Sequence, residues 1–224
     1  MAIRQSSALF HDRSAAAELL VSRLLQYRGQ KPLILGIPRG AMPMAKAIAD
    51  ALDGDLDVLL VRKLGAPGNP EMAIGAVDES GEVYLVPHLS YLGITSRHIE
   101  DEIREALGVL QFRRRVYTPR RGPMDPSGRV VIVVDDGCAT GATLVAALRS
   151  VQAKNPGKLV AAVAVASFDA LQAVRRQADE VVCLATPEPF AAVGRFFDNF
   201  SPVTDDEVRK ILQQHDANKV AATS

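Results

Sequence analysis

The sequence predicts an α/β fold, a mostly parallel twisted sheet flanked by helices. Three observations carry that expectation. Val130-Val131-Ile132-Val133-Val134 is an unbroken β-branched apolar run, as a parallel strand covered on both faces requires. Strand-like and helix-like segments alternate through the middle and end of the chain, the order that βαβ units produce. At 224 residues, 48% of them apolar, the chain can bury a substantial core as one domain spanning 1–224.

The elements follow in order. Residues 10–27 read as an amphipathic helix capped by Asp12, with Ala16, Leu19, Leu20, Leu24 and Tyr27 on one stripe, and Gly29 closes it. A short strand at 33–37 leads into Pro38-Arg39-Gly40-Ala41-Met42-Pro43, then a helix at 44–52 that ends in an Asp53-Gly54 turn. The next strand, 57–62, leaves Arg62 and Lys63 at its C-terminal end. Residues 64–70 hold too many glycines and prolines for an element and read as a mobile loop. Runs at 73–77 and 82–86 flank Asp78-Glu79-Ser80-Gly81 as an antiparallel hairpin.

Thr95 or Ser96 opens a long polar helix to 117, acidic early and ending in Arg113-Arg114-Arg115, as the helix dipole favours. That arginine cluster reads as a solvated helix terminus rather than a nucleic-acid patch. After the Pro/Gly-rich connection 120–128 and the central strand come a helix at 143–154, a strand at 159–167, a helix at 169–177 and a strand at 180–185. A short helix at 205–213 closes the chain.

The chemistry concentrates after the central strand. Asp135 and Asp136 stand at its C-terminal end, followed by Gly137-Cys138-Ala139-Thr140-Gly141-Ala142-Thr143. The glycines allow close backbone approach, and Thr140, Thr143 and the free N–H groups of the next helix form a nest for one phosphate. The two carboxylates would repel that phosphate, so their partners are hydroxyl groups or a divalent cation. A ligand with a phosphate at one end and vicinal hydroxyls nearby is a ribose 5-phosphate. No Gly-Lys-Ser/Thr of a Walker loop and no GxGxxG is present here.

This stretch resembles the 5-phosphoribosyl-1-pyrophosphate (PRPP) motif of the type I phosphoribosyltransferases. Gly36-Ile37-Pro38-Arg39-Gly40, the run from Val61 to Gly68 and Cys183-Leu184-Ala185-Thr186-Pro187-Glu188-Pro189-Phe190 resemble one bacterial subfamily of undefined acceptor. Some of its members are fused to a hydrolase domain. The resemblance implies the type I fold with an antiparallel hairpin, a flexible loop and a C-terminal hood, here 186–224 with a contribution from 1–28. It implies that Pro38, Arg39 and Gly40 grip pyrophosphate, that the Pro38–Arg39 bond is cis, and that Arg62 and Lys63 add positive charge.

The reaction it implies is displacement at the anomeric carbon of PRPP through an oxocarbenium-like transition state. Asp135 and Asp136 hold the ribose hydroxyls, and Mg²⁺ arrives with PRPP, met by these acids directly or through hydroxyls and water. Residues 64–72 close over the site and exclude water. The 6-oxopurine enzymes carry an aspartate three residues after the acid pair, where this chain has Ala139, so hypoxanthine or guanine transfer is not expected.

Acceptor recognition must then come from outside the loop. Phe190, Phe196, Phe197 and Phe200 cluster within eleven residues, either as a satellite apolar cluster or as a hood whose rings stack on a flat ligand. Glu188, Phe190, Arg195 and Phe197 are the acceptor-binding candidates, and the N-terminal helix is the competing source. Two other functions share the fold: a PRPP- or nucleotide-sensing regulator, and a PRPP or nucleotide hydrolase. Balanced charge, 26 basic against 26 acidic residues, gives no reason to expect nucleic acid as partner. No stretch is apolar and long enough to span a bilayer, and residues 1–9 lack the apolar core of a secretory signal. Cys138 and Cys183 form no disulfide framework, and a cytoplasmic location is expected. Dimers are common in the family, which makes a homodimer a prior expectation.

Overall fold

The structure, a computed structural model, describes residues 8–86, 89 and 93–223; residues 1–7 of the expected N-terminal contribution lie outside that range. A five-stranded parallel sheet has the order β2-β1-β6-β7-β8, built from β1 (Leu33–Gly36), β2 (Asp55–Val58), β6 (Val130–Cys138), β7 (Lys158–Ala166) and β8 (Glu180–Ala185). A second, antiparallel sheet joins β3 (Val61–Ala66), β4 (Asn69–Asp78) and β5 (Val83–Leu85).

Strand alternation divides the core in two. Ile34, Ile132, Val134, Val160 and Ala162 point to one face, where α1 (Arg13–Leu24), α2 (Met42–Leu52) and α6 (Asp205–Thr223) pack. Leu33, Leu35, Val131, Val133, Leu159 and Ala161 point to the other, covered by α4 (Ala142–Gln152) and α5 (Phe168–Arg175). The long α3 (Ser96–Tyr117) lies against the hairpin and α6. Among the described residues no helix is long and apolar enough to cross a membrane.

Asp12 caps α1 as expected, accepting from the Ala15 N–H at 2.9 Å. Leu19 departs from the predicted stripe and is 49% exposed, and Ala16, Ala17, Leu20 and Leu24 carry the buried face instead. α2 begins two residues before the predicted start, because Pro43 in a first helical turn has no N–H to leave unpaired. α6 runs ten residues past the predicted end, since residues 214–223 contain no breaker and the buried His215 continues the stripe of Val208 and Leu212.

The largest correction concerns residues 57–72. The predicted strand 57–62 is two strands in different sheets: β2 ends at Val58, the Leu59 N–H donates to the Gly36 carbonyl at 2.9 Å, and Val61 opens the hairpin. The predicted loop 64–70 is the tip of that hairpin, with only Pro67 and Gly68 outside the strands. Buried Leu64 and Ile74 give it an apolar face, and the register shifts beside Gly65 mark a bulge. The hairpin is anchored, since Glu102 of α3 accepts from the Gly65 N–H at 3.1 Å and His98 Nε2 lies 2.9 Å from the Gly65 carbonyl.

The arginine cluster also differs from expectation. Arg114 is buried, donates to Asp57 at 2.7 Å and pairs with Glu79, while Arg121 lies 3.1 Å from Asp57 and 3.2 Å from Asp216. Two of these cations therefore neutralise acids inside the molecule, and Arg113, Arg115 and Arg120 remain exposed.

Candidate functional site

The site is built at the C-terminal ends of β1 and β6, where an open α/β sheet leaves a crevice. β6 runs through the acid pair as far as Cys138, so alternation places the two acids on opposite faces. Asp135 continues the row of Val131 and Val133 and lines a cavity of about 130 Å³ with residues 137–144. Asp136 continues the row of Ile132 and Val134 and faces α1.

Beyond Cys138 only Ala139, Thr140 and Gly141 separate strand from helix, so Ala142 and Thr143 sit in the first turn of α4. Gly141 has φ +75°, a conformation that favours glycine, and a Cβ there would crowd Ala170 of α5 at 3.2 Å. Ser167 Oγ donates to the Ala139 carbonyl at 2.7 Å and pins the loop to the end of β7. Thr140 and Thr143 are exposed at its mouth. Small residues, exposed hydroxyls and the N–H groups of a helix start suit one phosphate group. Larger cavities lie elsewhere, including one of about 610 Å³ lined by Tyr117, Arg120, Arg121 and Asp216.

Residues 38–40 form the facing loop. The Pro38–Arg39 peptide is cis, as the resemblance implies, and the Ile37 N–H donates to the Val134 carbonyl at 3.0 Å, tying the loop to β6. A Cβ on Gly40 would fall 2.1 Å from Asp136 Oδ2, so only glycine lets the loop lie this close to the acid. The Arg39 side chain is half-exposed, with Nη1 3.6 Å from Asp205 Oδ2. Arg62 and Lys63 belong to β3, not to the end of a parallel strand as predicted, and Arg62 Nη2 lies 3.0 Å from Glu105 of α3.

Burial pushes the Asp135 carboxyl well above the usual carboxylate range, and the neighbouring Asp136 charge pushes it further. Burial also raises Asp136, and hydrogen bonding and charge from Arg13 oppose the rise. The Cys138 thiol is pushed up to about 12, by burial first and Asp135 second, so it is a neutral packing group rather than a nucleophile. Among the described residues no group of three or more His, Cys, Asp and Glu side chains gathers to hold a metal; Asp135 and Asp136 face opposite sides and Arg13 occupies Asp136 Oδ2, so of the two expected acids Asp135 is the one left to meet a hard cation that brings its other ligands along.

The aromatic segment ties residues 9–11 to residues 196–199. Phe10 and Phe197 form a parallel bridge, Phe196 O accepts from the N–H groups of Leu9 and Phe10, and the Asp198 N–H donates to Phe10 O at 3.0 Å. Phe197 is 5% exposed, its ring 5.4 Å from Phe10 and 5.0 Å from Phe200. Phe190 is partly exposed and tilts on Phe196 at 5.1 Å. Glu188 and Arg195 are exposed, and the Glu188–Pro189 bond is cis.

Three contributors were missed in the sequence. Arg13 places Nε and Nη2 each 2.8 Å from Asp136 Oδ2, across 123 positions, and nothing local marks it out from any first-turn arginine. Asp205 and Ser167 look only like helix-start residues, and their proximity to the loops comes from topology.

Residues 7–194 match the family model described as the phosphoribosyl transferase domain. A Mycobacterium tuberculosis (strain H37Rv) protein, provisionally named a phosphoribosyl transferase, is 40% identical over 211 residues. That match covers 92% of this chain, which spans only 47% of the relative's length. The crystal structure of TT1426 from Thermus thermophilus superposes with a TM-score of 0.82 at 43% identity, covering 92% of this chain and 98% of that one. The structure of the AQ2163 protein from Aquifex aeolicus has a TM-score of 0.50 at 13% identity, covers 83% of this chain and 85% of that one, and shares the fold. With most of its length matched by that model, the chain belongs to the phosphoribosyl transferase domain family.

Proposed function

We propose that this protein transfers the 5-phosphoribosyl group from PRPP to a nitrogenous base or related small acceptor, with Mg²⁺ present and pyrophosphate released. The observation that carries this reading is one convergence. The phosphate-sized cradle at 137–143, the Asp135 carboxylate on its wall and the cis Pro38–Arg39 loop share one end of the sheet.

In this reading Thr140, Thr143 and the backbone of residues 137–142 hold the 5-phosphate. Asp135 accepts from the ribose hydroxyls and offsets positive charge growing on the ring. Arg39 and the N–H groups of residues 39 and 40 receive pyrophosphate, and Arg62 and Lys63 on the hairpin add positive charge. When bound, Mg²⁺ would supply charge neutralisation to pyrophosphate, and Asp135, the acid not engaged by Arg13, would be available to it. Phe190 and the exposed Glu188 and Arg195 are the acceptor-side groups, and residues 186–224 with a contribution from residues 1–28 form the hood. The free thiols of Cys138 and Cys183 accord with a reducing compartment such as the cytoplasm.

The test is pyrophosphate release from PRPP and Mg²⁺, with and without a panel of bases. Release that depends on one base supports transfer and identifies the acceptor. Release without any base supports hydrolysis instead, and PRPP binding with no release supports a regulatory role.

A further inference from the structure

Asp135 and Asp136 are adjacent in sequence, yet they face opposite sides of the sheet, and their surroundings differ in charge. Asp135 opens on the cradle of residues 137–144. Asp136 is held by Arg13, with both acid and base side chains largely buried, at 14% and 11% exposed. Arg13 is itself fixed on its remaining sides. Its Nη1 donates to the Ser201 carbonyl at 2.8 Å, and its guanidinium lies 3.8 Å from the Phe200 ring centroid.

The pyrophosphate loop rests on this ion pair. A Cβ on Gly40 would meet Asp136 Oδ2 at 2.1 Å and Arg13 Nη2 at 3.1 Å, so no side chain fits between loop and pair. An anion carried by residues 38–40 would therefore have the Asp136 carboxylate immediately beneath it. Bare, that carboxylate would repel the anion through a poorly solvated gap. Paired with Arg13, it is neutral and supports the loop.

We infer that Arg13 is a positioning residue of this site: with Asp136 it forms a charge-neutral strut beneath the Pro38–Arg39–Gly40 loop, leaving Asp135 as the acid that faces the phosphoribosyl group. The inference rests on the PRPP reading and divides labour within the acid pair.

The experiment titrates the full chain by calorimetry with two separate probes, Mg²⁺-pyrophosphate and ribose 5-phosphate. Arg13→Met strands the Asp136 charge and should weaken pyrophosphate binding about tenfold or more, because breaking a buried pair exposes its partner's charge. Ribose 5-phosphate affinity should stay within about twofold, since that probe binds on the other face. The double variant Arg13→Met with Asp136→Asn removes both charges and should regain most of the lost pyrophosphate affinity. Asp135→Asn should show the reverse split, losing ribose 5-phosphate.

Equal weakening of both probes by Arg13→Met, or no recovery in the double variant, would overturn the strut. If Arg13→Met does not fold, Arg13→Lys, which keeps the Asp136 pair neutral, should bind both probes within about threefold of wild type, and a loss of pyrophosphate of about tenfold with that charge still in place would overturn the strut. A wild-type chain that binds neither probe removes the PRPP reading itself, an outcome distinct from a wild type that binds both with Arg13 variants unaffected.

Discussion

The Tyr117 hydroxyl donates a hydrogen bond to Asp205, whose other carboxylate oxygen lies 3.6 Å from Arg39 Nη1. The end of α3, the start of α6 and the candidate pyrophosphate loop thus meet at one carboxylate. Burial, and then Asp205, push the Tyr117 hydroxyl above its ordinary pKa, so it stays a donor throughout the working range. Arg39 and Asp205 are each about half-exposed, which limits their attraction to at most about 1 kcal/mol.

In the proposed PRPP reading, Asp205 and pyrophosphate compete for Arg39. Asp205→Asn keeps a hydrogen-bond partner for Tyr117 and removes the competing charge, so Mg²⁺-pyrophosphate should bind up to about fivefold more tightly. Asp205→Ala also takes away the partner of Tyr117 and should cost about 1 kcal/mol in chemical denaturation. Weaker pyrophosphate binding in the Asn variant would contradict the competition, and an Arg39→Ala variant that binds Mg²⁺-pyrophosphate as the wild type does would remove Arg39 from the pyrophosphate site.

Asp135 makes a prediction about pH. Its folded-state pKa is raised above the unfolded value, so the folded protein holds the proton more tightly. That contribution to stability is present in full at low pH and is lost as pH rises through the raised value. Asp135→Asn has no such group. Without ligand or metal, its melting temperature should exceed the wild type's by a margin that grows as pH rises, while ribose 5-phosphate binding is lost. Between the ordinary carboxylate range and the raised value the margin should grow, and above the raised value it should level off; a margin that shrinks, or that is flat from the ordinary carboxylate range upward, would contradict the burial assigned to this carboxyl.

Much of this architecture was legible because it depends on short-range pattern. The run 130–134 is apolar on both faces, and only a central parallel strand needs that; the 137–143 loop follows from glycine and hydroxyl chemistry between strand and helix. The hairpin at 61–78 was misread because Gly65, Pro67, Gly68 and Pro70 look like a breaker cluster, whereas a bulge and a two-residue turn absorb them. Arg114 was misread because its partners, Asp57 and Glu79, lie 57 and 35 positions away. Arg13 was invisible for the same reason: its importance comes from Asp136 and Gly40, which only the fold brings to it.

The hairpin tests the distinction between a loop and a hinged arm. Its ladder from Val61 to Gly65 is paired, and Gly65 is tied to α3 through Glu102 and His98. Amide hydrogen exchange in the free protein should be slow along that ladder and fast at Gly68 and the adjoining residues. Glu102→Ala removes one tie and should speed exchange at Gly65 and its neighbours without altering β6 or β7. Saturating PRPP and Mg²⁺ should extend protection to the tip. A tip whose exchange is indifferent to ligand would argue against closure over the site.

Phe190 and Phe197 separate core from acceptor site. Phe197 is packed between Phe10 and Phe200 in the seam that joins residues 9–11 to residues 196–200, and it exposes 5% of its surface. Phe197→Ala should therefore lower stability by about 3–5 kcal/mol, whatever it does to turnover. Phe190 keeps part of its surface open while its ring tilts on Phe196 at 5.1 Å and packs at the edge of the core. Its removal forfeits a stacking face, worth about 0.5–1.5 kcal/mol, more than it opens a cavity. With the base that supports pyrophosphate release, Phe190→Ala should raise the acceptor KM by about three- to tenfold and leave the PRPP KM unchanged. A folded Phe190→Ala with wild-type acceptor KM would return Phe190 to the apolar seam. Acceptor recognition would then have to be sought along α1, on the other side of the same seam.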